Sequence, residues 1–162
     1  MLMSANGWCP ISRNHPAAFL IEGKRYRAPN HYYQTMKAGF FGDKDCEEEI
    51  RKTFSVRDLP AVAQQIKNFS MYQWEPEAYK AMKHAVRERF SQSDKCRKFL
   101  LGTENRMIVF GSVYEQHWGT GIAFTDADNL DPSKWKGHNY MGTILMELRD
   151  EFRSVNVVNC MY

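Results

Sequence analysis

The chain has 162 residues, 43% of them apolar and 14% aromatic, a composition that excludes disordered, collagen-like and disulfide-dense classes. Twenty-two Lys and Arg against nineteen Asp and Glu leave a net charge of +3, too small to grip a phosphate backbone by charge alone. The four cysteines, Cys9, Cys46, Cys96 and Cys160, lack C-x-x-C spacing, no run is apolar enough to span a bilayer, and the first residues carry no leader pattern, so a reduced, cytoplasmic chain without a membrane anchor is expected.

No repeat, low-complexity tract or Gly/Ser linker divides the sequence, which predicts a single domain over residues 1–162. Residues 19–27 set two strand-like runs around Glu22-Gly23 and predict a hairpin. Apolar residues at helical spacing after Pro29 predict a helix over 31–41 that loosens at Gly39 and Gly42. Residues 45–52 have helical composition, and Ser55-x-x-Asp58 reads as a capping box ahead of a helix through 61–66, with Pro60 in its first turn. The clearest amphipathic pattern covers 75–90: Trp74, Ala78, Met82, Ala85 and Phe90 share one side, while Glu77, Lys80, Lys83 and Arg87 share the other.

Ser93-Asp94 then opens a helix to Leu101, which Gly102 is expected to close in the left-handed conformation. Residues 107–112 read as a buried strand, and the Gly-, Asp- and Asn-rich loop over 118–138 is long enough to suggest a function. Met141, Ile144, Leu145, Leu148 and Phe152 form the stripe of a last core helix, leaving 153–162 as a terminal strand or a loose tail. The sum is an α+β fold, a compact and mainly helical domain with a few short strands.

On the first helix, Tyr33, Lys37 and Phe41 share a face, with Asn30 and Gln34 one row beside them. A lysine among aromatic rings is poorly hydrated and loses its proton more easily, and the neutral amine can form a Schiff base with an opened sugar. The other reading lays its stem along the rings and sends the charge to water. Trp118-Gly119-Thr120-Gly121 suits backbone approach to a flat ring or a phosphate, or else a tryptophan lid on the core. Glu115 is a candidate proton carrier or a solvated surface acid. His15, His31, His84, His117 and His138 show no H-x-x-x-H pair, so no metal is expected, and no phosphate-loop or dinucleotide fingerprint implies a cofactor.

Several motifs in order carry a family likeness: Asn30-His31-Tyr32-Tyr33-Gln34-Thr35-Met36-Lys37-Ala38, then Trp74, Met82 and Phe90, Leu100-Leu101-Gly102-Thr103, Trp118-Gly119-x-Gly121, and Trp135-x-Gly137-x-Asn139-x-x-Gly142-x-x-x-Met146-x-x-Arg149. Over about residues 11–152 the chain resembles the NADAR superfamily, whose bacterial branch includes YbiA-like N-glycosidases. The resemblance implies the same α+β fold and hydrolysis of an ADP-ribosyl or phosphoribosyl N-glycosidic bond, without a metal or other cofactor. Its implied partner is a small nucleotide or ADP-ribose-type ligand, extending to ADP-ribosylated nucleic acid.

Carried across by position, the resemblance puts the family lysine at Lys37, as nucleophile or electrostatic stabiliser of the opened sugar, with Glu115 as a proton carrier. Trp74, Trp118 and Asn139 match family positions that wall or contact the substrate, and Arg13, Asn30, Tyr33, Gln34, Gly119 and Thr120 complete the candidate substrate contacts. The chain also departs from the family pattern. Asn30 stands in place of a glutamate in Ser-x-Glu-x-Tyr, Phe110 ends what is usually Leu-Val-Glu, and Thr120 replaces the acid of Trp-Gly-Asp-Gly. Glu115 stands for a customary aspartate, and Ile11-Ser12-Arg13-Asn14 replaces Leu-Ser-Asn-Phe. Fewer carboxylates and an added Arg13 favour an anionic ligand. They also leave a second expectation, a relative that binds or sequesters a nucleotide or ADP-ribose-derived signal without cleaving it, and a third, an interaction module with a vestigial pocket.

Overall fold

The computed structural model describes residues 2–3 and 9–159, and their contacts gather into two compact units. One is contiguous, Arg13–Ser93; the other joins Met1–Ser12 to Asp94–Tyr162. The fold is α+β and mainly helical, as the sequence predicts.

In the contiguous unit, β1 (Phe19–Ile21) and β2 (Lys24–Tyr26) form an antiparallel hairpin with Phe19 opposite Tyr26. Glu22 (φ 50) and Gly23 (φ 73) are both left-handed, the geometry that a two-residue turn between right-twisted strands requires. Helix α1 (Pro29–Phe40) follows, its proline in the first turn, where a missing N–H does no harm. It packs on α2 (Lys44–Lys52) and α4 (Met71–Gln92), with α3 (Leu59–Ala63) beside α2. Two apolar clusters fix this arrangement. Ala38, Cys46, Ile50, Leu59, Ala63 and Ile66 join α1, α2 and α3; Phe19, Ile21, Tyr26, Tyr32 and Ala85 join the hairpin to α1 and α4. His31 ties the first turn of α1 to both sides: its Nδ1 accepts the Arg27 N–H at 3.1 Å, so Nε2 carries the proton that bonds the Ile50 carbonyl at 2.9 Å.

In the discontinuous unit, β3 (Leu2–Met3) pairs in parallel with β4 (Ile108–Val109), and α5 (Asp94–Leu101) and α6 (Tyr140–Asn159) pack together. Met141, Ile144, Leu145 and Leu148 are fully buried, as their spacing predicts. The 118–138 loop is not structureless. It contains 3-10 turns at Ala127–Leu130 and Pro132–Lys134, whose first N–H groups are capped by the side chains of Asp126 and Asp131.

Four local expectations are corrected. Ser55-Asp58 is a turn rather than a capping box: Ser55 Oγ accepts the Arg57 N–H, Asp58 makes no side-chain cap, and the helix runs only over Leu59–Ala63. Gly102 is not left-handed; turns continue from Leu100 to Glu104, and Glu104 takes the positive φ of 51. The strand at 107–112 shrinks to Ile108–Val109. The expected strand or tail after residue 153 is instead the end of α6, because extending an existing helix adds a bond per residue without a new nucleus, despite the β-branched valines. Cys160, placed at the end of that strand, lies outside the described residues.

Candidate functional site

Helix α1 carries most of the candidates in the contiguous unit. Asn30 is buried in its first turn, where its N–H bonds the Arg13 carbonyl at 3.0 Å, so the main chain at Arg13 lies against the start of α1. Gln34 reaches back to Asn30, Nε2 to Oδ1, at 3.4 Å. Its own Oε1 is buried and accepts no hydrogen bond from the described residues. Tyr33 is buried on the adjacent row, and its hydroxyl accepts the indole N–H of Trp74 at 2.7 Å. The two rings meet edge to face with centroids 5.5 Å apart. Tyr33 and Trp74, both candidate substrate contacts in the sequence, thus meet each other, and the Trp74 N–H is satisfied by the Tyr33 hydroxyl.

Lys37 lies one turn beyond Gln34 on the same face. It is half-buried, and its Nζ sits 4.9 Å from the centroid of the Phe69 ring. Burial holds its ammonium below the ordinary lysine pKa, a shift that neighbouring Cys46 partly opposes. Among the described residues no carboxylate pairs with it. Phe69 is held there by Asp43, which caps α2 by accepting the Cys46 N–H at 3.2 Å and also accepts the Lys67 N–H at 2.9 Å. Those backbone N–H groups, Lys67 first, hold the Asp43 carboxyl below its usual pKa, so it stays ionised and fixes the 64–70 segment. Sequence reading found Lys37 but not Phe69, which lies beyond the helix where no periodicity points to it.

In the discontinuous unit, Glu115, Trp118, Gly119 and Thr120 belong to one backbone-bonded loop. The Glu115 carbonyl accepts the Gly119 N–H at 3.0 Å, the Phe110 carbonyl accepts the Thr120 N–H at 3.0 Å, and the Trp118 carbonyl accepts the Met141 N–H at 3.1 Å. Trp118 is buried and meets the His117 ring edge-on. The close approach at Gly119 is to the protein itself: a Cβ there would stand 2.5 Å from the Phe110 carbonyl oxygen. Thr120 is fully buried, and its hydroxyl lies 2.7 Å from Asn129 Oδ1 as donor. Asn139, with a φ of 51, clamps β4: its Oδ1 accepts the Phe110 N–H at 2.9 Å and its Nδ2 donates to the Ile108 carbonyl at 3.0 Å. The loop's glycine, threonine and asparagine are thus engaged in holding the loop, β4 and the start of α6.

Among the described residues no cluster of His, Cys, Asp and Glu is arranged to hold a metal ion, and no helix is long and apolar enough to cross a membrane.

Residues 3–153 match the model of the NADAR domain. The chain is 29% identical over 130 residues to an N-glycosidase of Acanthamoeba polyphaga mimivirus, spanning 80% of this chain and 76% of that protein. It is 28% identical over 131 residues to N-glycosidase YbiA of Escherichia coli (strain K12), spanning 81% and 73%. Its fold matches the NMR structure of E. coli YbiA with a TM-score of 0.78 at 24% identity, over 96% of this chain and 86% of that one.

Proposed function

The chain belongs to the NADAR domain family, and from that premise we propose that it hydrolyses the N-glycosidic bond of a phosphoribosyl or ADP-ribosyl compound, with Lys37 as the nucleophile. The names of the relatives support the reaction class. The observation that carries the reading is a pair of groups on one face of α1 that the described residues leave unsatisfied: an ammonium poorly hydrated and without a carboxylate partner among them, and the buried Gln34 Oε1 without a donor among them. A buried acceptor left unpaired costs about 1–3 kcal/mol, and a sugar hydroxyl would supply the missing proton. Arg13, anchored to the start of α1, is the proposed phosphate contact.

The chemistry follows from a neutral Lys37 amine. Opening of the ribose ring breaks C1′–O4′, protonates O4′ and leaves an iminium between C1′ and the nitrogen of the base. Lys37 Nζ adds to C1′, the C1′–N bond to the base breaks, and a proton passes from the lysine nitrogen to the departing nitrogen. Water then adds to the lysine imine and releases the sugar aldehyde, which recloses. The net change is one water consumed, one base and one sugar released. The chain is taken to act in the cytoplasm, as the lack of C-x-x-C spacing among its four cysteines suggests.

The test is incubation with ADP-ribosylated guanosine and with pyrimidine ribosyl phosphates, with borohydride added to trap the imine. Base release, with a reduced sugar adduct on Lys37 that is absent in Lys37→Ala, is the expected result. A second reading, binding without turnover, rests on Asn30, Phe110 and Thr120 standing where the resemblance implies acids. Under it the same compounds raise the melting temperature and no base is released.

A further inference from the structure

A groove of about 720 Å³ lies in the contiguous unit, walled by Phe40 and Phe41 at the end of α1 and by Tyr72 and Pro76 in the first turns of α4, with Gln73, Glu75 and Asn68 on its edges. Its aromatic walls are open rather than part of the core: Phe40 is 49% exposed and Tyr72 is 89% exposed. Rings of the groove wall contact the rings beside the Lys37 amine. The Phe41 ring lies 5.4 Å from the Phe69 ring, over which Lys37 Nζ sits at 4.9 Å, and Phe40 meets Trp74 edge-on at 5.5 Å. Glu75 is the only charged residue among the lining side chains, and no cation lines the groove.

We infer that this groove is the aglycone subsite, which takes a planar nitrogen heterocycle bearing an exocyclic amino group, stacked on Phe40 and Tyr72 and read at its edge by Gln73 and Glu75. The inference rests on the N-glycosidase reading and adds the residues that choose the base. Open aromatic faces attract any flat ring, since every base has a π-face. The edge groups supply the selection. A carboxylate and side-chain amide oxygens accept N–H donors, whereas a carboxylate with no neighbouring cation repels phosphate. The phosphate therefore belongs elsewhere and the base here. Pro76 adds one more acceptor, because it has no N–H to give the Tyr72 carbonyl the bond that an interior helical residue would supply.

The probe is 2-aminopurine riboside, titrated by its fluorescence against the whole chain, with ribose 5-phosphate as competitor. Saturable quenching is expected in the wild type, weakened about tenfold or more by Tyr72→Ala and by Phe40→Ala. Tyr72→Phe should restore it, and Glu75→Gln should weaken it less than either ring deletion. Ribose 5-phosphate should compete poorly. Phe40→Ala also removes a contact to Trp74, but Tyr72 is so exposed that its alanine variant keeps the fold. Absence of saturable binding in the wild type overturns the inference, and so does binding unchanged in Tyr72→Ala. If the probe behaves as expected while no N-glycoside is cleaved, the groove stands as a heterocycle-binding site, and the hydrolase reading, with the aglycone role, fails.

Discussion

In the discontinuous unit, the Asn139 amide donates to the Ile108 carbonyl and its Oδ1 accepts the Phe110 N–H, while the Thr120 hydroxyl donates to Asn129 in a fully buried position. In the contiguous unit, among the described residues, Gln34 Oε1 is buried with no donor and Lys37 is desolvated with no carboxylate partner. Both sets of residues looked alike in the sequence: polar or cationic side chains beside aromatics and glycines. The difference teaches how to divide them. A polar group that the protein itself satisfies is framework, and substituting it should cost stability. A polar group left wanting in a folded interior lowers stability until a ligand satisfies it, and substituting it should cost function.

The sharpest way to break this division is at the framework's tightest point. Gly142 lies in the first turn of α6, where a Cβ would stand 2.2 Å from the Ile108 carbonyl oxygen and 2.4 Å from Asn139 Nδ2. Gly142→Ala should cost at least about 4 kcal/mol or abolish folding, measured by urea unfolding. Asn139→Ala comes next. It leaves the Phe110 N–H and the Ile108 carbonyl unpaired, a loss of about 2–4 kcal/mol. If Asn139 instead serves the ligand, stability will hold and only KM will rise.

A smaller effect is expected from pH. Burial holds the His31 imidazole below the ordinary histidine pKa, opposed by the bond to the Ile50 carbonyl and helped by Arg27 and Arg51. With the folded value depressed, the unfolded chain binds the proton first. The stability due to neutral His31 is therefore complete above about pH 6.5 and is lost as pH falls through the folded value. Unfolding curves between pH 7 and pH 4 should show this decline, and His31→Gln should flatten it.

The hairpin, the helices and the core stripe of α6 were legible because their signals are local: a Glu22-Gly23 turn, a proline at the start of α1, apolar residues at helical spacing. Strand β3 was not, because two residues pair in parallel with Ile108–Val109 across most of the chain and carry no period of their own. The site was half legible. Lys37 stood out by its aromatic neighbours on α1, and Tyr33 and Trp74 do meet. Phe69 and Tyr72 did not stand out, because a loop residue and an exposed first-turn residue look like ordinary surface until the backbone brings them beside α1. At Gly119 the sequence marks a position that admits close backbone approach, and in the structure the Phe110 carbonyl makes that approach.

The division between satisfied framework and unsatisfied site is tested most directly by urea unfolding of Lys37→Met at neutral pH. Burial lowers the Lys37 pKa from its ordinary value, so the folded chain disfavours the charged form and holding that charge costs stability. Lys37→Met removes the charge and keeps the stem, so the variant should be as stable as the wild type or more stable. A clear loss of stability would mean that Lys37 holds the fold together, and would contradict the account.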